Sequence, residues 1–75
     1  MIYVGIDWAR KHHYVVVLDP NGTRLHQQSV AHTAEALAAL AETLSDLEPD
    51  PEAVRVAIEL HDGSLVEIKE IERRR

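Results

Sequence analysis

The chain has 75 residues, 45% of them apolar and 28% charged, which is the composition of a globular and not of a disordered chain and allows one small domain over residues 1–75. Thirteen acidic against eight basic residues give a net charge of −5, which taken alone argues against nucleic-acid binding by bulk positive charge. Cysteine is absent, and no apolar run is long enough to span a bilayer or follows a signal-peptide pattern, so we expect a cytoplasmic protein.

Three strands are expected in the first thirty residues. Ile2 to Asp7 alternates apolar residues with others, as a strand with one buried face does. A second strand is predicted over residues 13–18, whose apolar run at 14–18 predicts burial on both faces. The Asp-Pro-Asn-Gly sequence at 19–22 predicts a tight turn, after which a polar strand over residues 23–30 returns antiparallel.

The hydrophobic period then becomes helical. Thr33 is a suitable N-cap residue and Glu35 places an acid in the first turn. Pro49 and Pro51 end the helix. The apolar stripe of this helix consists of Leu37, Leu40, Leu44 and Leu47.

A fourth strand and a second helix are expected in the last third of the chain. Val54, Val56 and Ile58 alternate with other residues, and the helix before them provides a crossover, so this strand should run parallel to a neighbour. The Ser-x-x-Glu spacing from Ser64 predicts a helix from there to Arg75, with three arginines where the helix dipole favours positive charge.

The resulting order, β-β-β-α-β-α, indicates an α/β fold. It is the order of the opening half of a ribonuclease H-like (RuvC-like) domain, a mixed sheet in which strand 4 lies parallel to strand 1. The sugar-kinase, actin and Hsp70 nucleotide-binding fold opens with the same order, so the order alone does not separate the two.

Two acids close two apolar strands. Asp7 ends the first strand and Glu59 the fourth, and each shares its face with a small residue, Gly5 or Ala57. If the two strands pair in parallel, their ends are level and about 4.8 Å apart, so the carboxylates could meet on one face. Either acid alone could be an ordinary loop cap or a solvated side chain.

Two carboxylates at that spacing repel each other unless a cation lies between them. Mg²⁺ and Mn²⁺ take oxygen ligands from a few carboxylates together with substrate phosphate. Two such ions can flank a scissile phosphate and stabilise both the attacking and the leaving oxygen. The pair therefore indicates metal-dependent phosphodiester chemistry.

The chain resembles the start of the IS110-type transposases, whose RuvC-like domain carries a DEDD set of acids. The resemblance is carried by the strand-four ending before Glu59, by the apolar strand that runs into the 19–22 turn, by the alanine- and leucine-rich helix after Thr33, and by the opening motif Gly5-Ile6-Asp7-Trp8-Ala9-Arg10-Lys11. It implies that Asp7 and Glu59 are the first two catalytic and metal-binding acids. The other two aspartates of the family would come from a later segment.

The resemblance further implies Mg²⁺ or Mn²⁺ as cofactor, bound weakly here, and DNA as partner of the full-length protein, with a guide RNA as a second partner to consider. With two of four acids and no serine-bearing domain, the chain is expected to be a truncated catalytic fragment that is inactive alone. Residues 60–64 depart from the family, which usually has a small residue, Thr and Gly after the glutamate.

Two other functions stay open. The chain could be a non-enzymatic binding or oligomerisation module with solvated acids. It could also be a phosphotransferase fragment of the sugar-kinase and Hsp70 class, although those proteins follow the Asp with glycine and hydroxyl residues, and residues 8–13 contain neither.

The remaining polar residues have weaker interpretations. Arg10 and Lys11 suit nucleic-acid backbone contacts or a solvated turn. Trp8 could stack on a base or pack against a helix or a partner. Asp62 could be a third ligand, but a helix cap is the better interpretation.

The five histidines show no metal-ligand spacing, so surface or loop positions are expected for them. The apolar stripe of the last helix and an open sheet edge favour a homo-oligomer.

Overall fold

The chain forms a mixed sheet with a helix packed on one of its faces. The computed structural model describes residues 1–60 and the strand Leu65–Ile68. Within these residues the strand order is β3-β2-β1-β4-β5. The elements are β1 (Ile2–Asp7), β2 (His12–Leu18), β3 (Arg24–Ala31), α1 (Ala34–Leu47), β4 (Val54–Glu59) and β5 (Leu65–Ile68).

β1 lies in the middle of the sheet, between an antiparallel and a parallel neighbour. It pairs antiparallel with β2 and parallel with β4, in a register that runs from Ile2 opposite Val54 to Asp7 opposite Glu59. This confirms the predicted mixed sheet with strand 4 parallel to strand 1, the arrangement of a ribonuclease H-like half-domain. α1 is the crossover that makes the parallel pairing possible.

The turn between β2 and β3 forms as its sequence predicts. The Asp19 side chain accepts hydrogen bonds from the backbone N–H groups of Asn21 and Thr23, each at 2.9 Å. Gly22 has a φ of 88°, in the left-handed region that a residue without Cβ adopts at little cost. The β2–β3 ladder has a register shift between Val17 and Leu18, next to this turn.

α1 begins and ends where capping residues predict. The Thr33 hydroxyl accepts a hydrogen bond from the Ala36 N–H at 3.0 Å, which satisfies one of the free donors of the first turn. The helix ends at Leu47, just before Pro49 and Pro51. In the described part of the chain, no helix has the length and apolarity that crossing a membrane requires.

The core lies between α1 and one face of the sheet, where β1, β2 and β4 contribute alternate aliphatic residues and β3 contributes one valine. On β2, Val15 and Val17 are fully buried, but Tyr14 is 46% exposed and Val16 is half-buried. The prediction that this run is buried on both faces is therefore wrong, because within the described residues a helix covers one face only. The core consists of Ile2, Val4, Ile6, Val15, Val17, Val30, Leu40, Leu44, Val54, Val56 and Ile58.

The predicted second helix is wrong where the structure describes it. Leu65–Ile68 is a strand, β5, which pairs antiparallel with β4 and places Leu65 opposite Glu59. Three of its four residues are apolar, two of them β-branched, and such a short run suits a strand that can pair with a neighbour. Ser64 and residues 69–75 lie outside the described residues.

Replacing Leu44 by alanine should destabilise the fold strongly. Leu44 is 4% exposed in the core, and a buried Leu→Ala change costs about 2–5 kcal/mol of unfolding free energy. Leu47→Ala, one turn later and 37% exposed, is the matched control and should cost under about 1 kcal/mol. Urea unfolding followed by circular dichroism measures both. Equal losses in the two variants would contradict the packing of α1 described above.

Candidate functional site

The site is built on the last residues of the two central parallel strands. Asp7 ends β1 and Glu59 ends β4, and the register places them directly opposite each other. Both side chains are exposed, on the sheet face opposite the core, because their strands alternate between buried and outward residues. The structure thus brings the two predicted acids together at one end of one sheet face.

An open depression of about 280 Å³ lies beneath the two acids. Gly5 and Ala57 are register partners two residues before the acids and form a low floor. A Cβ atom added to Gly5 would meet no atom within 4 Å, so the space above Gly5 is open. Tyr14, the antiparallel partner of Asp7, and Val16 form the side toward β2.

The Asp7 and Glu59 carboxylates are unpartnered in the part of the chain that the structure describes. Within residues 1–60, neither the Asp7 nor the Glu59 carboxylate accepts a hydrogen bond or forms an ion pair. Two exposed carboxylates on adjacent strands, with all their oxygens uncommitted, fit a hard divalent cation such as Mg²⁺ or Mn²⁺. No group of three or more possible ligands occurs in the described residues, so the acids form a pair there, and Asp62 lies outside those residues.

Trp8 connects the two strand ends. Its backbone N–H donates a hydrogen bond of 3.0 Å to the Glu59 carbonyl, one step beyond the paired acids. We call Asp7, Trp8 and Glu59 the acid edge. Arg10 and Lys11 follow in the turn between β1 and β2, at the same end of the sheet as the acids, and both are exposed.

An aromatic cluster lies on the core side of the sheet, behind the two acids, and shares Trp8 with the acid edge. The Trp8 indole stacks on the His13 imidazole, with ring centroids 3.6 Å apart and an angle of 11° between the planes. His13 is only 1% exposed, and His32 makes edge contacts with both rings. The prediction that histidines occupy surface or loop positions is wrong for His13. Trp8, for which the sequence suggests stacking on a base or packing against a helix or a partner, stacks on this imidazole.

Hydrogen bonds hold the cluster in place. The Ala9 N–H donates to His13 Nδ1 at 3.0 Å, and His13 Nε2 lies 2.9 Å from His32 Nδ1. The backbone N–H of His32 donates to the Lys11 carbonyl at 2.8 Å. The β1–β2 turn is therefore attached to the segment between β3 and α1 by both side chains and backbone.

The surroundings of His13 favour its neutral form. Burial lowers the pKa of His13 below its usual 6.5, and the nearby imidazoles of His32 and His12 lower it further. The strand pattern contained a signal for this burial, since His13 has the same parity as Val15 and Val17 and must share their inward face. Its contact with His32 depends on the β2–β3 register and has no signal in residue spacing.

Comparison with known proteins identifies the family. The family of transposases with an IS110-type DEDD domain matches residues 4–67, which is most of the chain and includes both acids. The chain belongs to this family. A curated relative from Sinorhizobium fredii (strain NBRC 101917 / NGR234), named "Putative transposase y4uE", is 34% identical over 67 residues.

The match covers unequal shares of the two proteins. It includes 87% of this chain but 19% of the Sinorhizobium fredii protein, so the chain spans about a fifth of that relative's length. No solved structure matches the chain significantly. The membership of the IS110-type family agrees with the resemblance carried by the opening motif and by the acid at the end of β4.

Removing one acid should stabilise the chain when no metal is present. Asp7→Asn and Glu59→Gln each remove the repulsion between paired carboxylates, for a gain of up to about 1 kcal/mol, the usual ceiling for exposed charge pairs. Urea unfolding at neutral pH measures this gain, which should shrink at high salt. The double variant should gain little more than either single variant, and Glu42→Gln on α1 should change nothing. A loss of stability in both single variants would contradict the unpartnered pair.

Proposed function

We propose that this chain carries the first two acids of the metal-dependent catalytic centre of a DNA transposase. In this proposal Asp7 and Glu59 are catalytic residues that bind Mg²⁺ or Mn²⁺, and Arg10 and Lys11 contact nucleic acid. The single observation that carries it is the pairing of Asp7 with Glu59 at the level ends of two parallel strands. The family membership supports DNA as the substrate of the longer proteins.

The two carboxylates are suited to binding a cation jointly. Parallel neighbours lie about 4.8 Å apart, and both acids leave β1 and β4 on the same face. A cation between them would have one oxygen from each strand at the 2.0–2.1 Å that Mg²⁺ requires, with water or phosphate oxygens completing the shell. A bound divalent ion would polarise a phosphodiester and stabilise the charge that develops on its oxygens.

The depression beneath the acids gives substrate room to approach. Gly5 and Ala57 keep the floor low, so a sugar-phosphate backbone can reach the carboxylates without meeting a bulky side chain. Tyr14 stands beside Asp7 and is half exposed, which leaves its ring able to contact a nucleotide. The face is therefore open to an extended polymer.

Arg10 and Lys11, two of the eight basic residues in the chain, would supply positive charge beside the acids. Both are exposed in the turn that follows Asp7, and neither forms an ion pair with another described residue. Cationic side chains beside a catalytic acid pair can bind the phosphates that flank the reacting one. This placement offsets locally the net charge of −5, which otherwise repels nucleic acid.

Two acids form half of the four-acid set that defines the family. We therefore propose that this chain binds a divalent cation weakly and does not cleave DNA by itself. The matching Sinorhizobium fredii protein is about five times longer than the matched segment, which leaves ample length for further acids in proteins of that size.

Manganese binding tests the proposal directly. Mn²⁺ broadens the NMR signals of nuclei near it, so a titration into the millimolar range should broaden first the backbone signals of Asp7, Tyr14 and Glu59. Asp7→Asn and Glu59→Gln should each abolish this selective broadening, because each removes half of the ligands. Glu42→Gln, which removes an exposed acid on α1, should leave the broadening unchanged.

The opposite results would overturn the proposal. Broadening centred on the α1 acids, or broadening at Asp7 and Glu59 that survives both single substitutions, would show that the pair does not bind the cation. Titration of the diamagnetic ion Mg²⁺ should displace Mn²⁺ from the same site, and failure to compete would contradict the assignment to a hard oxygen site.

A further inference from the structure

The Trp8–His13–His32 cluster contains the one buried titratable residue in the described part of the chain, His13, which the proposed chemistry does not use; His32 is exposed. It lies beside the acid edge but on the core side of the sheet, so its rings face away from the two carboxylates. The hydrogen bonds of the two imidazoles determine which of their ring nitrogens can carry a proton. These positions determine the charge that the cluster can carry while it keeps its structure.

The proton count of the cluster follows from its contacts. His13 Nδ1 accepts from the Ala9 N–H and so carries no proton, and the 2.9 Å contact between His13 Nε2 and His32 Nδ1 holds one proton between two nitrogens. His32 Nε2 carries the remaining one. Two protons on two imidazoles mean that both rings are neutral. A third proton would have to replace one of these hydrogen bonds with two opposed donors.

The titratable residues next to His13 also disfavour its protonation. His32 approaches it from the segment between β3 and α1, and His12 precedes it on β2. Val30, its register partner on β3, is apolar, and the Asp7 carboxylate lies on the opposite face. The Trp8 indole face attracts cations, but a protonated ring would still bring an N–H against the Ala9 N–H.

The cluster is mechanically connected to the acid edge through one residue. The Trp8 side chain stacks on His13, and the Trp8 backbone N–H donates a hydrogen bond to the Glu59 carbonyl. The ends of β1 and β4 are thus held together by a residue whose side chain depends on the neutral histidine pair. Loss of the stack would weaken this hydrogen bond, which lies next to the two paired acids.

We propose that His13 and His32 are positioning residues for the acid edge: as a neutral pair they hold the Trp8–Ala9 turn in place, and a third proton on the pair releases it. At neutral and higher pH the Trp8 N–H therefore stays bonded to the Glu59 carbonyl, which we call the closed state of the acid edge. In mild acid this hydrogen bond breaks, which we call the opened state. This inference concerns the protein part alone and does not require that the acids bind metal.

The direction of the pH dependence follows from proton linkage. The opened state has a freely titrating His13 with a pKa near 6.5, whereas burial lowers the pKa of His13 in the closed state. The opened state binds more protons, so falling pH favours it. Opening should begin to increase below about pH 6.5 and continue until the lower pKa of the closed state is reached, by about tenfold for each pH unit.

Hydrogen exchange at the Trp8 amide is the primary test. This amide donates to Glu59, so its protection factor, corrected for the intrinsic exchange rate, should fall about tenfold per pH unit below about pH 6.5. The amide of Val56, in the middle of β4, is the internal reference and should keep its protection over the same range. Trp8 is the only tryptophan in the sequence, so its fluorescence should change along the same titration.

Two variants separate positioning from a merely structural role. His13→Asn retains an acceptor for the Ala9 N–H but cannot be protonated, so it should remove the pH dependence of Trp8 protection. His26→Asn removes a histidine on β3 that bonds to Gln28, far from Trp8 in the sequence, and should keep the wild-type profile. A Trp8 profile that is independent of pH in the wild type, or unchanged in His13→Asn, would overturn the proposal.

A measurement on the unmodified chain keeps the test valid if His13→Asn fails to fold. Nitrogen-15 NMR of the imidazoles at neutral pH should show His13 Nδ1 without a proton and Nε2 with one. A proton on His13 Nδ1 would contradict the hydrogen bond from Ala9 and the proposal with it. Absence of Mn²⁺ binding in the same sample would instead count against the metal site and leave this inference intact.

Discussion

The parallel pairing of β1 with β4 is the constraint on which the rest of the structure depends. Its register is set by aliphatic side chains, since Val54, Val56 and Ile58 reach the core only when they alternate in step with β1. A slip of one residue would expose all three and turn Glu59 inward. Each buried aliphatic side chain contributes about 1.5–3 kcal/mol, which exceeds the repulsion of up to about 1 kcal/mol between two exposed carboxylates. The core therefore holds the acids together against their own repulsion.

The same sheet has two faces with different roles. α1 and the aliphatic residues fill one face, while the other carries the acids above the Gly5 and Ala57 floor. Sheets with parallel pairs are usually covered on both faces, so a face left open within the described residues is accessible to ligands. On the core side, the stack of Trp8 on His13 supports the strand ends from below. The site thus combines an accessible surface with a buried support.

Local patterns predicted most of this fold. β1 and β4 show alternating apolar residues, and α1 has a helical apolar period that begins after the cap Thr33 and ends before Pro49. The predicted positions of these three elements are confirmed. β5 was missed because Ser64 and Glu67 also fit a helix start, and a four-residue apolar run does not distinguish helix from strand. That strand depends on pairing with β4, which no local pattern encodes. The sequence dipeptide Asp62-Gly63, typical of hairpin turns, was the available signal.

The acid pair of the candidate site could be predicted from the sequence, but the histidine pair could not. Asp7 and Glu59 follow from strand ends and a parallel crossover, so topology alone brought them together. The histidine pair required the β2–β3 register, in which residues 19 positions apart in sequence come within 2.9 Å. Parity along β2 points His13 inward with Val15 and Val17, although histidine is a residue type of intermediate burial. Polar contacts between residues that are distant in sequence depend on strand register, which local patterns do not encode.

The proposed function requires that the ends of β1 and β4 bring two carboxylates within reach of one cation. A crystal structure of the chain soaked in Mn²⁺, with anomalous diffraction collected at the manganese edge, measures this most directly. We predict an anomalous peak between the Asp7 and Glu59 carboxylates, with an oxygen of each at about 2.0–2.6 Å, the range of hard-cation ligands. Carboxylate oxygens more than about 10 Å apart, or a peak that contacts neither acid, would contradict it, because no cation with ligands at those distances could be shared.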